Sequence, residues 1–527
     1  LSILSPVPVQ LFDTMSRRLR TVEPLEPGHV RLYTCGPTVY ARAHIGNFRT
    51  FVFEDILRRW LERRFDRVTH VMNLTDVEDK IIRQAMAAGR TLDEETAPHV
   101  AGFFEDVDAL GICRAHHYPR ATDYIDAMVE VIQRLGDRGV TYSSEGNMYF
   151  RIAAFPAYGR LSGVRAGSLV AGAGGRVDAD EYEKEDARDF ALWKRVEAGE
   201  PGWETPLGRG RPGWHIECSA MSMALLGESF DIHCGGVDNI FPHHENEIAQ
   251  SEAATGKPFV SIWCHSAHLR IGGEKMAKSA GNFSTLRELL DRSASPDPVA
   301  GSHAGGGHDG RPDRSAAPGD GVAGTDAGEG GDGGALTSQI SARPSAIRYL
   351  LAAAAHYRKP LTFGDDVLHM STEAVGRLAA FRDRVRKLSP EASAGGGEEM
   401  AAIIDAGTAA FATAMDADLN LPEAMGAVFT VVRDANRLLD RGSPGAQAKQ
   451  RLETFIADVD EILGVLDLVD REQSGGAGME DQGYLDARAR ARSARDWAES
   501  DRLRELLRRR GIAVEDTPQG QRWHRET

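Results

Sequence analysis

The chain has 527 residues, 42% of them hydrophobic, with a mean hydropathy of −0.35 and a formal net charge of −16. That balance fits a water-soluble globular protein of about two to four domains. It holds no apolar run of membrane-spanning length and argues against an unspecific nucleic-acid coat, while leaving room for a local basic face.

From the N-terminus, LSILSPVPVQLFDTMSRR has no basic region followed by an apolar block and does not read as a secretory signal. Leu1 is compatible with an alternative initiator or a truncation. Residues 31–40, RLYTCGPTVY, read as a strand running into a Gly-Pro turn. In HIGNFRTFVFEDILRRWLERR the apolar positions Phe51, Phe53, Ile56, Leu57 and Trp60 form a helical stripe, so His44 to Asn47 fall at or just before a helix start. RVTHVMNLTD, Arg67 to Asp76, reads as a second strand. Strand, helix, strand at this spacing opens a parallel α/β sheet. Ligands in such sheets bind at the C-terminal strand ends, which places Cys35, His44 and Thr75 on one rim.

From about Tyr142 to Gly210 the texture changes to a short strand, GNMYFRI, within charged, Gly-rich connection; this reads as an insertion between two halves of the sheet. GWHIECSAMSMALLG and FDIHCGGVDNIFPHHENEIAQSEA then resume strand, turn and helix. FPHHENEIAQSEA is expected to continue as a helix with no break after Pro242. His243 and Glu247, four apart, share a face, with His244 and Glu245 pointing elsewhere. Two readings stay open for this stretch: a polar helix start with acids near the dipole, or part of a metal site whose other ligands come from elsewhere. The five cysteines, Cys35, Cys113, Cys218, Cys234 and Cys264, are few and odd in number, so no disulfide framework is expected. A reducing cytoplasm fits better, and there spaced Cys with His nearby lean towards metal or catalysis.

After GGEKMAKSAGNFSTLRELL, the segment from Ser293 to Arg343 is dominated by Gly, Ala, Asp, Ser and Pro. It cannot bury enough apolar surface to offset its ordering entropy and is expected to be disordered, with His303 and His308 exposed to solvent. From Ala346 to about Val469, AIRYLLAAAAHYRKPL, AVGRLAAFRDRVRKL, EAMGAVFTVVRDANRLLD and LETFIADVDEILGVL predict a helical bundle. SGGAGMEDQG is a second joint. From Asp486 to Thr527, eleven arginines stand against eight acids in an otherwise acidic chain. This tail reads either as an RNA-contacting face carrying Trp497 and Trp523 or as solvated helices with Asp/Glu–Arg pairs.

Two local motifs carry chemistry. HIGN lies at a helix start after the first strand, where backbone N–H groups and the dipole favour phosphate and a histidine can donate to a phosphate oxygen as charge develops. KMAKS, Lys275 to Ser279, sits on a Gly-flanked loop, and two lysines three apart can neutralise a leaving pyrophosphate. Each string alone is weak; in this order, one in each half of an α/β sheet, they are specific.

The pair resembles the HIGH and KMSKS signatures of class I aminoacyl-tRNA synthetases. The wider context, YTCGPTVYARAHIGNFRTF, NLTDVEDKII, GWHIECSAM, GGVDNIFPHHENEIAQSEA, EKMAKSAGNF and the tail RARARSARDWAESDRLRELLRRRGIAVEDTPQG, resembles the cysteinyl-tRNA synthetase family over nearly the whole chain except the low-complexity segment. The resemblance implies a zinc ion held by Cys35, Cys218, His243 and Glu247, with two ligands expected at strand ends and two on one helical face. It implies ATP contacts from His44, Gly46, Asn47, Lys275, Lys278 and Ser279, the catalytic group being His44, Asn47, Lys275 and Lys278. It also implies an amino-acid pocket containing Thr75, Trp214 and Asp238, whose plain structural readings are strand-end cap, core aromatic and turn residue. Gly36 and Thr38 fall beside the HIGH-like motif. Cys113, Cys234 and Cys264 match no ligand position, although Cys234 is expected close to the pocket. Zinc beside the ATP site can accept the substrate's thiolate and reject a serine hydroxyl, which makes an editing domain unnecessary.

The departures are Asn47 for the last histidine of HIGH, Ala277 inside KMSKS, and the 293–343 segment. An amide can still donate a hydrogen bond but cannot carry charge. The implied fold is α/β: a Rossmann-like parallel-sheet catalytic domain with an insertion, then an α-helical bundle and a small C-terminal domain. The expected boundaries are 1–141 and 211–265 for the two catalytic halves, 142–210 for the insertion, and 266–292 for the KMSKS-like region. The low-complexity insertion is 293–343, the bundle 344–470, the linker 471–483, and the basic anticodon-binding domain 484–527. The implied reaction is ATP- and Mg²⁺-dependent activation of L-cysteine and its transfer to tRNA(Cys), by a cytoplasmic, monomeric enzyme without membrane contact. Its rivals are a cysteine ligase with a small amino-sugar acceptor, which has no use for a basic tail, and a non-catalytic zinc- or RNA-binding relative, which would lack His44 or the lysines.

Overall fold

The computed structural model describes residues 7–164, 186, 188–197, 199–271, 274–275, 284–292, 342–389, 396–473, 479–493, 496–509, 512–517 and 520–525. A hairpin of β1 (Gln10–Asp13) and β2 (Arg18–Thr21) leads into the first core strand, β3 (His29–Thr34). Helix α1 (Ile45–Arg64) returns the chain to β4 (Arg67–Met72), parallel to β3 in the register His29↔Arg67 to Thr34↔Met72. Helices α2 (Asp79–Ala88), α3 (Leu92–Ala109) and α4 (Ile125–Asp137) follow. An antiparallel sheet of β5 (Thr141–Ser144), β6 (Asn147–Phe150), β7 (Phe190–Arg195) and β8 (Gly210–Pro212) then interrupts the core. The core resumes with α5 (Trp214–Leu226), β9 (Phe230–Gly236), α6 (Glu245–Thr255) and β10 (Val260–Ser266).

The central sheet has the order β10-β9-β3-β4, with every pair parallel. Its two βαβ halves run outward in opposite directions from the β3/β9 junction. Their connections therefore part at the C-terminal ends of these two strands, the switch point where open α/β sheets bind ligands. The strands are buried on both faces because helices cover both. Val30, Leu32, Val68 and Ile232 belong to one apolar core with α1; Tyr33, Val71, Phe230 and Trp263 belong to the other with residues of α4, α5 and α6.

Helix α1 is buried well beyond the predicted stripe, because it lies between the sheet and α8 (Pro344–Ala353). Its Arg49, 1% exposed, donates to the carbonyls of Leu351, Ala355 and His356. Arg348 of α8 forms a fully buried ion pair with Asp55 of α1. Arg49 and Asp55 thus replace lost water contacts with partners from the C-terminal half.

Before α8 lie β11 (Leu269–Ile271), β12 (Glu274–Lys275) and α7 (Leu286–Arg292). After it come β13 (Leu361–Phe363), α9 (Asp365–Arg386), α10 (Gly397–Asp416), α11 (Leu421–Leu439), α12 (Ala446–Leu463) and α13 (Leu466–Gln473). The single helix expected over AIRYLLAAAAHYRKPL is corrected: it ends at Ala353, and Leu361 to Phe363 pair in parallel with β11. Leu361 and Phe363 are buried on either side of an exposed Thr362, the alternation of a strand. The tail folds as α14 (Met479–Ser493), α15 (Trp497–Arg509) and a hairpin of β14 (Ile512–Thr517) with β15 (Gly520–Arg525) around Leu485, Leu507, Ile512 and Val514. Most of the expected disordered segment, residues 293–341 with His303 and His308, lies outside the described residues. Among the described residues no helix is long and apolar enough to cross a membrane.

Candidate active site

Cys35 directly follows β3, and its N–H donates to the Cys234 carbonyl of β9 (3.2 Å), so the thiol stands at the switch point. The ligand atoms of Cys35, Cys218, His243 and Glu247 all lie within 4.8 Å of one another, and all four residues are buried. The elements that bring them together differ from the sequence expectation. Cys218 is not at a strand end; it is the fifth residue of α5. Nor is His243 on a continuous helix. Phe241 has extended backbone angles (φ −140°, ψ 131°), the chain kinks at Pro242, and α6 begins only at Glu245. His243 Nε2 still comes within 3.1 Å of Glu247 Oε1, without forming a hydrogen bond.

His244, expected to point away, turns inward instead. Its Nε2 lies 3.2 Å from Cys35 Sγ and its Nδ1 2.8 Å from His265 Nε2. His233 of β9 holds the other oxygen of Glu247 (3.0 Å), and His215 of α5 meets Nδ1 of His243 (2.9 Å). Sequence reading singled out none of His215, His233 and His265. Their signal was the density of histidine in GWHIEC, FDIHC and IWCHS, which becomes a cluster only when α5, β9 and β10 converge.

Burial governs the charge state of this cluster. It depresses His215, His233, His243 and His265 to about 3, pushes Glu247 up to about 7, and raises the Cys35 thiol well above its usual value. The hydrogen bond with Cys35 draws the Cys218 thiol down, but burial and Glu247 leave it raised. Without a cation, then, neutral donors crowd together while Glu247 Oε1 has no hydrogen-bond partner. Two thiolates, an imidazole and a carboxylate are a sound donor set for Zn²⁺, and a divalent cation would reverse the shifts by holding the anionic forms. The further hydrogen bonds from His215 and His233 are the kind that orient metal ligands. The residues fit the ion.

On the other side of the switch point, His44 is the N-cap of α1. His44 Nδ1 accepts from the Asn47 N–H (3.1 Å), and Asn47 Oδ1 accepts from the His44 N–H (3.2 Å). This is a reciprocal capping box. Asn47 therefore has a structural reason to stand in the motif's last position, and the ring proton of His44 is directed to Nε2. The first turn of α1 carries no acid, which keeps it receptive to phosphate. Lys275 lies in β12 opposite Arg270; its side chain, and Lys278 and Ser279 entirely, lie outside the described residues.

A cleft of about 580 Å³ joins these parts, lined by Cys35, Cys218, His243, His44, Gly46, Asn47, Thr75, Trp214 and Asp238 among others. Gly36 has no room for a side chain, since a Cβ there would lie 1.8 Å from the Asn73 carbonyl oxygen. Thr38 and Thr75 instead pair backbone to backbone. Trp214 is 39% exposed, so it is not a core aromatic; its ring stacks on His243 (4.3 Å). Glu217, missed in the sequence, also lines the cleft, buried and with Oε2 unpartnered. Cys234 is close to the cleft, its carbonyl accepting from the Cys35 N–H, but it is not part of the lining: it is fully buried in the core, opposite Cys264 of β10.

In the tail, the Asp/Glu–Arg pairs of the second reading are present. Buried Arg488 donates to Asp516 and Gln521, Arg492 also pairs with Asp516, and Arg502 and Arg508 pair with Glu499 and Glu505 one turn away. Trp497 remains 55% exposed with the Arg492 guanidinium 5.6 Å from its ring centre. The Trp523 side chain lies outside the described residues.

Known proteins resemble the chain over nearly its whole length. The family model described as the tRNA synthetases class I (C) catalytic domain matches residues 21–297, the DALR domain 410–467, and the cysteinyl-tRNA ligase anticodon binding domain 481–523. The chain is 42% identical over 523 residues to a cysteine–tRNA ligase of Protochlamydia amoebophila, covering 98% of each. It is 42% identical over 526 residues to one of Solibacter usitatus, covering 98% of this chain and 100% of that one. Mycobacterium tuberculosis methionyl-tRNA synthetase in complex with methionyl-adenylate shares the fold, with a TM-score of 0.52 at 16% identity over 90% of this chain and 96% of that chain. By its catalytic-domain match and its near-full-length relatives, the chain belongs to the cysteinyl-tRNA synthetase family of class I aminoacyl-tRNA synthetases.

Proposed function

We propose that the protein condenses L-cysteine with ATP to cysteinyl-adenylate and pyrophosphate, then passes the acyl group to the 3′-terminal ribose of tRNA(Cys). The observation that carries this reading is the gathering of Cys35, Cys218, His243 and Glu247 in the same cleft as the capped start of α1. These four residues hold Zn²⁺. When bound, the ion supplies a soft site for the substrate sulfur, which a serine hydroxyl cannot use. The chain's own residues do the rest. Thr75, Trp214 and Asp238 position the amino acid. The Gly46 N–H and the Asn47 side-chain amide N–H, with His44 Nε2, receive the phosphates of Mg²⁺-ATP, and Lys275, Lys278 and Ser279 complete the nucleotide site. Catalysis is positioning plus charge stabilisation, with no covalent enzyme intermediate.

The boundaries assigned from the sequence are kept as domains. Residues 1–141 and 211–265 form the catalytic halves, 142–210 the insertion, 266–292 the KMAKS region, 293–343 the low-complexity insertion, 344–470 the bundle, 471–483 the linker and 484–527 the anticodon-binding unit. We assign the enzyme to the cytoplasm as a monomer. The test is cysteine-dependent ATP–pyrophosphate exchange with serine as control, together with zinc content. Exchange driven equally by serine, or exchange absent, refutes the reading. A ligase for a small acceptor has no use for a tail matching an anticodon-binding domain.

A further inference from the structure

The two nucleotide motifs are far apart in sequence, yet one buried carboxylate reaches towards both. Asp106 lies in α3, its side chain fully buried. Its Oδ1 accepts from Arg42 Nη1 (3.4 Å) and from Arg287 Nη2 (3.0 Å). Arg42 stands two residues before His44 and lines the cleft. Arg287 stands in α7, the first described helix after KMAKS.

Other contacts make this junction specific. Arg42 also donates to Glu105 (2.6 Å) and to the Gly102 carbonyl (3.3 Å). Gly102 makes room for it, because a Cβ there would lie 2.9 Å from the guanidinium carbon. On the other side, Thr285 and Glu288 cap α7 reciprocally. Thr285 bridges His44 in antiparallel fashion, and the Ile45 N–H donates to the Ser284 carbonyl (3.1 Å). Helix α3 itself is wedged on α1 by Phe103 against Phe51 (5.5 Å between ring centres). Two cationic side chains converge on one oxygen, so removing its charge would leave like charges facing each other across the junction.

We propose that Asp106 is a positioning residue for adenylate formation: through Arg42 and Arg287 it fixes the separation between the HIGN helix start and the stem that follows KMAKS. Asp106 does not line the cleft and touches no substrate; it acts through the two arginines. The inference rests on the cysteine–tRNA ligase reading above.

The experiment is steady-state cysteine-dependent ATP–pyrophosphate exchange on the full chain, comparing wild type, Asp106→Asn, Arg287→Met and the double variant, each checked for wild-type zinc content and melting. A misplaced nucleotide motif should lower kcat by about ten- to a hundredfold in Asp106→Asn, with the KM for cysteine unchanged within about twofold. Arg287→Met should reproduce the effect in part, and the double variant should be no worse than Asp106→Asn, since both act through one junction. If Asp106→Asn fails to fold, Arg287→Met decides alone, because Arg287 is a third exposed. Single variants equal to wild type, a loss confined to the KM for cysteine, or losses that multiply in the double variant would each overturn the inference while leaving the ligase reading in place. Absence of exchange in the wild type would overturn both.

Discussion

The metal cluster and the arginine-rich tail are both dense in chargeable groups, yet they use them in opposite ways. At the switch point, two cysteines, five histidines and a glutamate are packed together, and burial disfavours their charged forms. In α14 and α15 the charges stay largely in water, paired one turn apart or with the hairpin. A buried group left without its partner bears the full desolvation cost, whereas an exposed pair contributes about 0–1 kcal/mol. The centre should therefore respond steeply to single changes and the tail only gradually.

The sharpest test is Cys218→Ser. It should abolish zinc binding and lower the preference for cysteine over serine by about 10³-fold or more, because apolar pocket contacts alone separate such isosteres by only ~10². Metal analysis and exchange with each amino acid measure this; full discrimination in a zinc-free variant would break the contrast. Lys278→Ala should slow adenylate formation by on the order of 10²-fold while cysteine affinity survives, as judged by equilibrium binding.

Removing Gly483 to Thr527 should leave exchange nearly intact and weaken tRNA charging by about tenfold or more, with the loss growing as salt is raised. Unchanged charging would mean that the exposed region does no recognition. Within the tail, Trp497→Ala should cost about 1–3 kcal/mol of tRNA binding if a base stacks on this exposed ring, and Arg502→Ala, which only breaks an exposed pair, far less.

Acid should also separate the regions. Cys35, Cys218 and Glu247 all have raised pKa values in the absence of a cation. They hold protons at neutral pH that a bound ion must displace, so zinc affinity should rise with pH and uptake should release protons. Titrations in two buffers of different ionisation enthalpy would show it; tRNA binding by the tail should change little over the same range. The smallest effect is expected from deleting Ser295 to Ser341, since loop closure depends only weakly on length.

Much of this was legible in the sequence because it rests on short-range rules. Alternating strand and helix signals announced a parallel sheet, the stripe from Phe51 to Trp60 announced α1, and the order of HIGN and KMAKS announced the class I synthetase family. The four proposed zinc ligands were named from family resemblance, and the fold brings them within 4.8 Å. What the sequence could not settle depended on where elements meet. The kink at Pro242 delays α6 to Glu245 and swings His244 inward, an outcome no helical periodicity encodes. Cys218 reaches the cluster from a helix because α5 packs on the same face of the sheet as α6. His233 and His265 join it because β9 and β10 are neighbours in the sheet, and Asp106 joins Arg42 to Arg287 because α3 lies between them in space. Local propensity and composition are properties of the chain. The desolvation that neutralises these groups, and the partners that compensate it, exist only after the sheet and its helices have closed around them.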